Sequence, residues 1–275
     1  MRDGRPRRAD KILSMNEVQI HAQAIVSPEA KLGKGVQVGA FAVVGPGVEL
    51  GEGCVLQSHA VVRGPAKFGA RNVFHPFAVI GGDPQDYTYR GERVELAAGD
   101  GNIFREYVTI SRGTIKGGGI TRIGNENFFL AYSHVGHDCQ IGNNTLFING
   151  ATLAGHVTVQ DYVTIGAFCP VHQFCRLGRY AYIGASTVIT QDVLPFSLVV
   201  TERETKCFGP NTIGLERKRF SAERIKTLQR AFRVLLRSKK NTSQAMEEMR
   251  DAWGDSADMK ELLEFVEKAE RGIVK

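Results

Sequence analysis

The stretch AYSHVGHDCQIG, residues 131–142, places His134, His137, Asp138 and Cys139 within six consecutive positions. Imidazole titrates nearest neutrality of the common side chains, at about 6.5, so a histidine beside a carboxylate suits general-base work. The carboxylate orients the ring and stabilises the imidazolium that forms. The same residue types bind Zn²⁺ when histidines converge and leave an open position for water. His156 and His172 follow in ATLAGHV and VHQFC, so four of the seven histidines fall between positions 134 and 172. Whether they meet depends on the elements that carry them.

Those elements follow a period of six. Every sixth residue from Ile20 to Ile80 is apolar, and so is every sixth residue from Ile123 to Ile189. Such a stride fits neither a helix of 3.6 residues per turn nor the two-fold alternation of a hairpin sheet. It fits short strands joined by tight turns, each sending one apolar residue inward, with glycines such as Gly33, Gly39 and Gly51 relieving the turns. Three strands make a triangular coil of 18 residues, and stacked coils form parallel sheets about 4.8 Å apart. The predicted class is mainly β, a parallel β-helix prism followed by a small α-helical C-terminal domain.

On this scaffold His137 lies under Gly155 and then Gln173, Asp138 under His156, and Gly136 under Ala154 and then His172. His137, Gly155, His156, His172 and Gln173 then share one edge, within roughly 10 Å of each other. Cys139, one residue along a strand from Asp138, is expected to face the other way. A general base and a zinc site both remain open on this geometry.

The rest of the chain bounds the answer. With 275 residues, 43% hydrophobic and 23% charged, it reads as a folded soluble protein. No apolar run approaches the roughly 20 residues of a membrane helix. Five cysteines without a CxxC pair favour free thiols in a reducing compartment, hence a cytoplasmic location. Residues 1–14, MRDGRPRRADKILS, lack the apolar core of a secretory signal and read as a disordered extension or an overextended start. The prism is expected over 15–195, with a loop ejected from about 82 to 101 and a second break at SRGTIKGGGIT. Loops ejected from a solenoid are often binding elements.

From Phe196 a helical period takes over. Ser221 is expected to cap a helix carrying Ile225, Leu228, Phe232 and Leu235 on one face, with Ser243 and Ser256 starting two more. Charge is segregated there: ten Lys/Arg against one acid between Arg217 and Lys240. That excess exceeds what a helix dipole asks for and points to an anionic partner docking on Arg219, Arg224, Lys226, Arg230, Arg233 and Arg237. No interleaved aromatics or groove-reading motif accompany the run, so nucleic acid is not expected.

SHVGHDCQIGN, NGATLAGHVTVQD, VHQFCRLG and RGTIKGGGIT together resemble the acyl-carrier-protein–UDP-N-acetylglucosamine O-acyltransferase family, from about residue 16 to the C-terminus. The resemblance implies a left-handed winding and a homotrimer with sites between adjacent prisms. It also implies transfer of an R-3-hydroxyacyl chain from acyl carrier protein to the 3-hydroxyl of UDP-N-acetylglucosamine, opening lipid A biosynthesis without metal or cofactor. His137 matches the general base, Asp138 its orienting partner, and the Gly155 N–H the oxyanion donor. Gln85, Asp86, His134, His156, His172 and Gln173 match substrate contacts, Asn211 and Arg217 hold the nucleotide, and the basic face meets the acidic carrier. Ala185 falls where the family sets acyl length, which predicts a chain slightly shorter than in glycine-bearing members.

There are departures. Thr88 stands where many members carry a lysine, so that cationic contact is missing or supplied elsewhere. VVTERETKCFGPN is one residue longer than the usual segment and lacks its histidine, and Lys218 replaces an arginine, losing a bidentate fork for phosphate. Beside the O-acyltransferase stand three other readings: the same chemistry on the 3-amino analogue, a zinc hydratase like the gamma-class carbonic anhydrases, and a non-catalytic trimeric scaffold.

Overall fold

The structure, a computed structural model, describes residues 17–201 and 205–275. The expected N-terminal extension and the middle of the VVTERETKCFGPN segment lie outside the described residues. The chain winds as a left-handed parallel β-helix of very short strands. Its three faces are one sheet of eleven strands and two of eight. Pairing advances one coil at a time, as in His134 with Thr152 and Val135 with Leu153.

The inward residues of the six-residue stride form the core. Phe74, Phe104, Phe129 and Phe147 are all 0% exposed and stack in one column, with successive centroids 5.1, 5.2 and 4.6 Å apart. Removing each such ring from water contributes about 1.5–3 kcal/mol, and the column adds ring–ring contact to that.

Gly33, Gly39 and Gly51 do a different job from the one expected. Gly51 has no left-handed backbone, but a Cβ there would fall 2.4 Å from the Gly69 carbonyl oxygen, so it is required for close stacking of coils. The left-handed conformation instead falls mainly on larger residues at the corners. Phe41, His59, Phe77, Tyr107 and Tyr132 all have φ between 59 and 65°. Each costs about 1–2 kcal/mol on backbone grounds. Their rings stack at 4.9–5.2 Å along one edge, and each contact returns about 0.5–1.5 kcal/mol.

Two excursions break the stride. The first leaves after the strand Val79–Gly82 and returns at Glu95–Ala98. It is shorter than the expected 82–101, because Leu96 and Ala98 already pair with Ala66 and Phe68 and are buried. The second spans residues 112–119 and contains a 3-10 turn, Ile115–Gly117. Across them Val79 pairs with Thr109 and Thr109 with His134, offsets of 30 and 25 instead of 18. Both excursions leave at the corner between the second and third sheets, where His137 and Asp138 sit one coil further on.

Past the last coil a β-hairpin, Ser197–Thr201 and Thr205–Pro210, precedes the helices, where a helical period was expected from Phe196. Its first strand alternates buried Ser197 and Val199 with more open neighbours and pairs with Tyr182–Ile183, extending the first sheet. Helices α1 (Thr212–Arg217), α2 (Ala222–Arg237), α3 (Thr242–Trp253) and α4 (Ala257–Glu267) follow. Ser221 caps α2 and Ser256 caps α4 as expected. Helix α3 starts at Asn241 instead of Ser243, because Asn241 and Gln244 satisfy each other's backbone N–H groups in a capping box. No helix among the described residues is long and apolar enough to cross a membrane.

Candidate active site

The corner after the strand His134–Val135 carries the pair singled out by sequence. Neighbours along a strand diverge, but Asp138 sits at a left-handed corner with φ 61°. Its carboxylate therefore meets the ring of the residue before it, with His137 Nδ1 2.8 Å from Asp138 Oδ2. The Asp138 side chain is 1% exposed. Buried charge needs partners, and here Thr114 supplies two: its N–H donates to Oδ1 and its hydroxyl to Oδ2, both at 2.7 Å. The Asp138 N–H donates to the Thr121 hydroxyl at 2.8 Å. With Nδ1–H assigned to the carboxylate, His137 keeps Nε2 free to take a proton.

Gly155, one coil above, closes the other side. A Cβ there would lie 2.5 Å from His137 Cε1, so only glycine lets the chain pass this close to the ring. The Gly155 N–H has no acceptor among the described residues. His156 stands edge-on to His137 at 5.1 Å and stacks on Phe174 at 4.6 Å. Its Nε2 is 3.7 Å from Asp138 Oδ2. Burial holds the His156 pKa below the usual histidine value, against the opposing pull of Asp138. His134 Nδ1 is hydrogen-bonded to the Thr109 hydroxyl at 2.8 Å, and its burial, with His137 nearby, pushes its pKa down.

The first excursion comes over this corner. Asp86 Oδ1 accepts both the N–H and the hydroxyl of Thr88 at 2.8 Å. These bonds, then Lys116 and His137, hold the Asp86 carboxyl below its usual range. Lys116 Nζ donates to the Thr88 hydroxyl at 3.2 Å, so a cation does stand at Thr88, supplied by the second excursion. Arg112, 7% exposed, anchors the base of the first excursion by pairing with Asp83 and donating to the Gly64 carbonyl. Gln85 is exposed on the same loop.

The remaining predicted residues are more scattered. His172 and Gln173 are exposed on the next coil, with His172 Nδ1 donating to the Gln173 carbonyl at 3.0 Å. Asn211 caps α1, accepting from the Gly214 N–H at 3.2 Å, and Arg217 is exposed in its last turn. Neither touches His137 within one chain among the described residues. Lys218 lies over the Tyr162 ring, 4.7 Å from its centroid. Ala185 is exposed at the opposite corner of the second sheet's face.

Of the basic face, Arg219, Lys226, Arg230 and Arg233 are exposed, and Arg237 donates to the Phe208 carbonyl at 3.4 Å. Arg224 is exposed as well, but its guanidinium is engaged within the chain. Its guanidinium bonds Asp258 twice, at 2.8 and 2.7 Å, and covers the Phe220 ring at 3.7 Å, so it joins α2 to α4.

Sequence reasoning missed Thr109, Thr114 and Thr121, which place the histidines and the carboxylate. The 18-residue arithmetic fails for Thr109 and Thr114 because the second excursion changes the offset, whereas Thr121 lies on the unbroken stride, one coil below Cys139. It also missed Lys116, visible only as one residue of RGTIKGGGIT.

The donor atoms of His137, Asp138 and His156 lie within 4.8 Å of one another, as a metal site would require. Asp138 Oδ2 is already taken by the Thr114 hydroxyl and His137 Nδ1, and a cation there displaces both. Cys139 adds no ligand: its thiol is buried, donates to the Ala154 carbonyl at 3.2 Å and is pushed up to about 12.

A triangular coil stack with a histidine–carboxylate pair on one corner defines a hexapeptide-repeat transferase, and residues 29–64 match the family model for bacterial transferase hexapeptide (six repeats). Residues 192–274 match the second domain of UDP-N-acetylglucosamine O-acyltransferase. An acyl-[acyl-carrier-protein]–UDP-N-acetylglucosamine O-acyltransferase of Halorhodospira halophila is 44% identical over 257 residues, 94% of this chain and 99% of that protein. Its counterpart in Xylella fastidiosa is 45% identical over 196 residues, 71% of this chain and 74% of that one. The solved UDP-N-acetylglucosamine acyltransferase of Francisella novicida superposes with a TM-score of 0.90 at 36% identity, covering 93% of this chain and 94% of the other. The chain belongs to the UDP-N-acetylglucosamine O-acyltransferase family.

Proposed function

We propose that the chain transfers an R-3-hydroxyacyl group from acyl carrier protein to the 3-hydroxyl of UDP-N-acetylglucosamine, the first step of lipid A biosynthesis, with His137 as general base. The observation that carries the proposal is the His137–Asp138 pair, its carboxylate buried and its ring packed against Gly155, whose N–H has no acceptor among the described residues. His137 Nε2 takes the proton of the sugar hydroxyl as its oxygen attacks the thioester carbonyl. Asp138 stabilises the imidazolium, and the Gly155 N–H meets the developing oxyanion, a contact worth a few kcal/mol. Collapse breaks the C–S bond, and the departing thiolate takes the proton back from His137. The sugar oxygen is the nucleophile and the acyl group arrives activated, so the route needs no acyl-enzyme, metal or cofactor.

His134, His156, His172 and Gln173 contact sugar and acyl chain, Gln85 and Asp86 close from the excursion, and Ala185 limits acyl length. Asn211 and Arg217 hold the nucleotide, from an adjacent prism of a homotrimer. The exposed aromatic edge through Phe41, Phe77, Tyr107 and Tyr132 supports such an assembly. Arg219, Lys226, Arg230, Arg233 and Arg237 receive the acidic carrier, and the enzyme works in the cytoplasm, where both substrates would be met.

The test is incubation with hydroxyacyl carrier protein and UDP-N-acetylglucosamine, reading acylated nucleotide sugar. The His137→Ala protein should keep its assembly state and lose about 10²–10⁴-fold in turnover. An alanine variant as active as the parent ends the base assignment.

A further inference from the structure

We infer that Lys116 is a substrate-positioning residue of this site, holding the diphosphate of the nucleotide sugar; the inference rests on the acyltransferase reading. Three observations carry it. First, the lysine's backbone is fixed relative to the His137–Asp138 pair. Thr114 gives Asp138 two hydrogen bonds, and at Gly117 a Cβ would lie 2.0 Å from Asp138 Cγ, so the turn around Lys116 packs directly on the carboxylate. Its far end is set by Gly118 at φ 92°. A surface lysine on a loose loop has no such indexing.

Second, the ammonium is underused. It makes one hydrogen bond, to the Thr88 hydroxyl at 3.2 Å, and is in no ion pair among the described residues. An ammonium carries three donors, so two remain for an incoming acceptor. Third, it joins the two excursions over the corner. Thr88 is tied to Asp86, whose carboxylate senses both Lys116 and His137. Asp86 can accept from sugar hydroxyls but repels phosphate, whereas the lysine attracts it. Side by side they fit the two halves of a sugar nucleotide: hydroxyls on the carboxylate and diphosphate on the ammonium.

A phosphate also occurs on the phosphopantetheine of the acyl donor, and the two sources separate kinetically. With purified full-length protein, Lys116→Gln should raise KM for UDP-N-acetylglucosamine about tenfold, with kcat and the KM for hydroxyacyl carrier protein within twofold. Lys116→Arg should recover most of the loss, and the melting temperatures of both variants should match the parent, since the side chain is exposed. A purely structural latch predicts no such split and no selective rescue by arginine. If the glutamine variant keeps its nucleotide-sugar KM within twofold, or only the carrier KM rises, the Lys116 assignment is overturned while the acyltransferase reading stands. If the parent protein transfers no acyl group, that reading fails and takes the assignment with it.

Discussion

Replacing Gly155 with alanine adds one methyl group at a place already filled. Its Cβ would lie 2.5 Å from Cε1, 2.7 Å from Nε2 and 3.0 Å from Nδ1 of His137. Ordinary carbon contacts are about 3.5–4.0 Å, so the ring has to withdraw by roughly 1 Å. The bond from Nδ1 to Asp138 Oδ2 starts at 2.8 Å and does not survive that shift with useful geometry. Misplacing a reacting group by about 1 Å costs on the order of 10² in rate. Stability should suffer far less, because the ring is 16% exposed and can swing outward. Alanine keeps the backbone N–H, so the variant separates packing on the base from donation to the oxyanion. The assay is steady-state acyl transfer beside a thermal melt. We expect about a hundredfold loss in kcat with a melting temperature within a few degrees of the parent. Full activity in Gly155→Ala refutes the claim that this contact positions the base.

Other outcomes follow from the same contacts. Arg224→Ala should destabilise the helical region by about 2 kcal/mol, read by denaturant titration, because it strands the largely buried Asp258 carboxylate. It should leave the carrier KM unchanged, whereas Arg230→Ala or Arg233→Ala should raise it. His134 and His156 both have lowered pKa values in the fold, so the unfolded chain binds protons that the folded chain refuses. Their contribution is therefore intact above the ordinary histidine value of about 6.5 and declines as pH falls below it. Melting temperatures compared at pH 7.5 and 5.5 should show this decline, and His156→Gln should reduce it. Prolonged chelation followed by metal analysis should leave acyl transfer unchanged; a loss restored by Zn²⁺ favours the zinc reading.

The prism was legible because its signal is periodic and redundant: each inward position repeats the same requirement. The stacking of His137 under Gly155 was legible for the same reason, since between these coils the stride is unbroken. Thr114 was not, because its distance along the chain from Asp138 depends on how many residues the second excursion ejects, which no period encodes. The hairpin at 197–210 was hidden too, because its strands are short and their alternation begins where the six-residue stride ends. Arg224 shows the limit of charge counting. Its partner Asp258 lies 34 residues away, and only the packing of α2 on α4 brings them together.

The two excursions leave the ladder in phase on either side, with Val79 still opposite Thr109 and Thr109 opposite His134. The stack therefore does not register how long they are. Folding is written in the strands and specificity in what hangs off one corner, so the two can be edited separately. An exchanged 83–94 segment should alter which molecule is held without asking the coils beneath to re-pair. The corner acts as a socket, and chain length there is free to drift under selection for substrate while the core stays as it is.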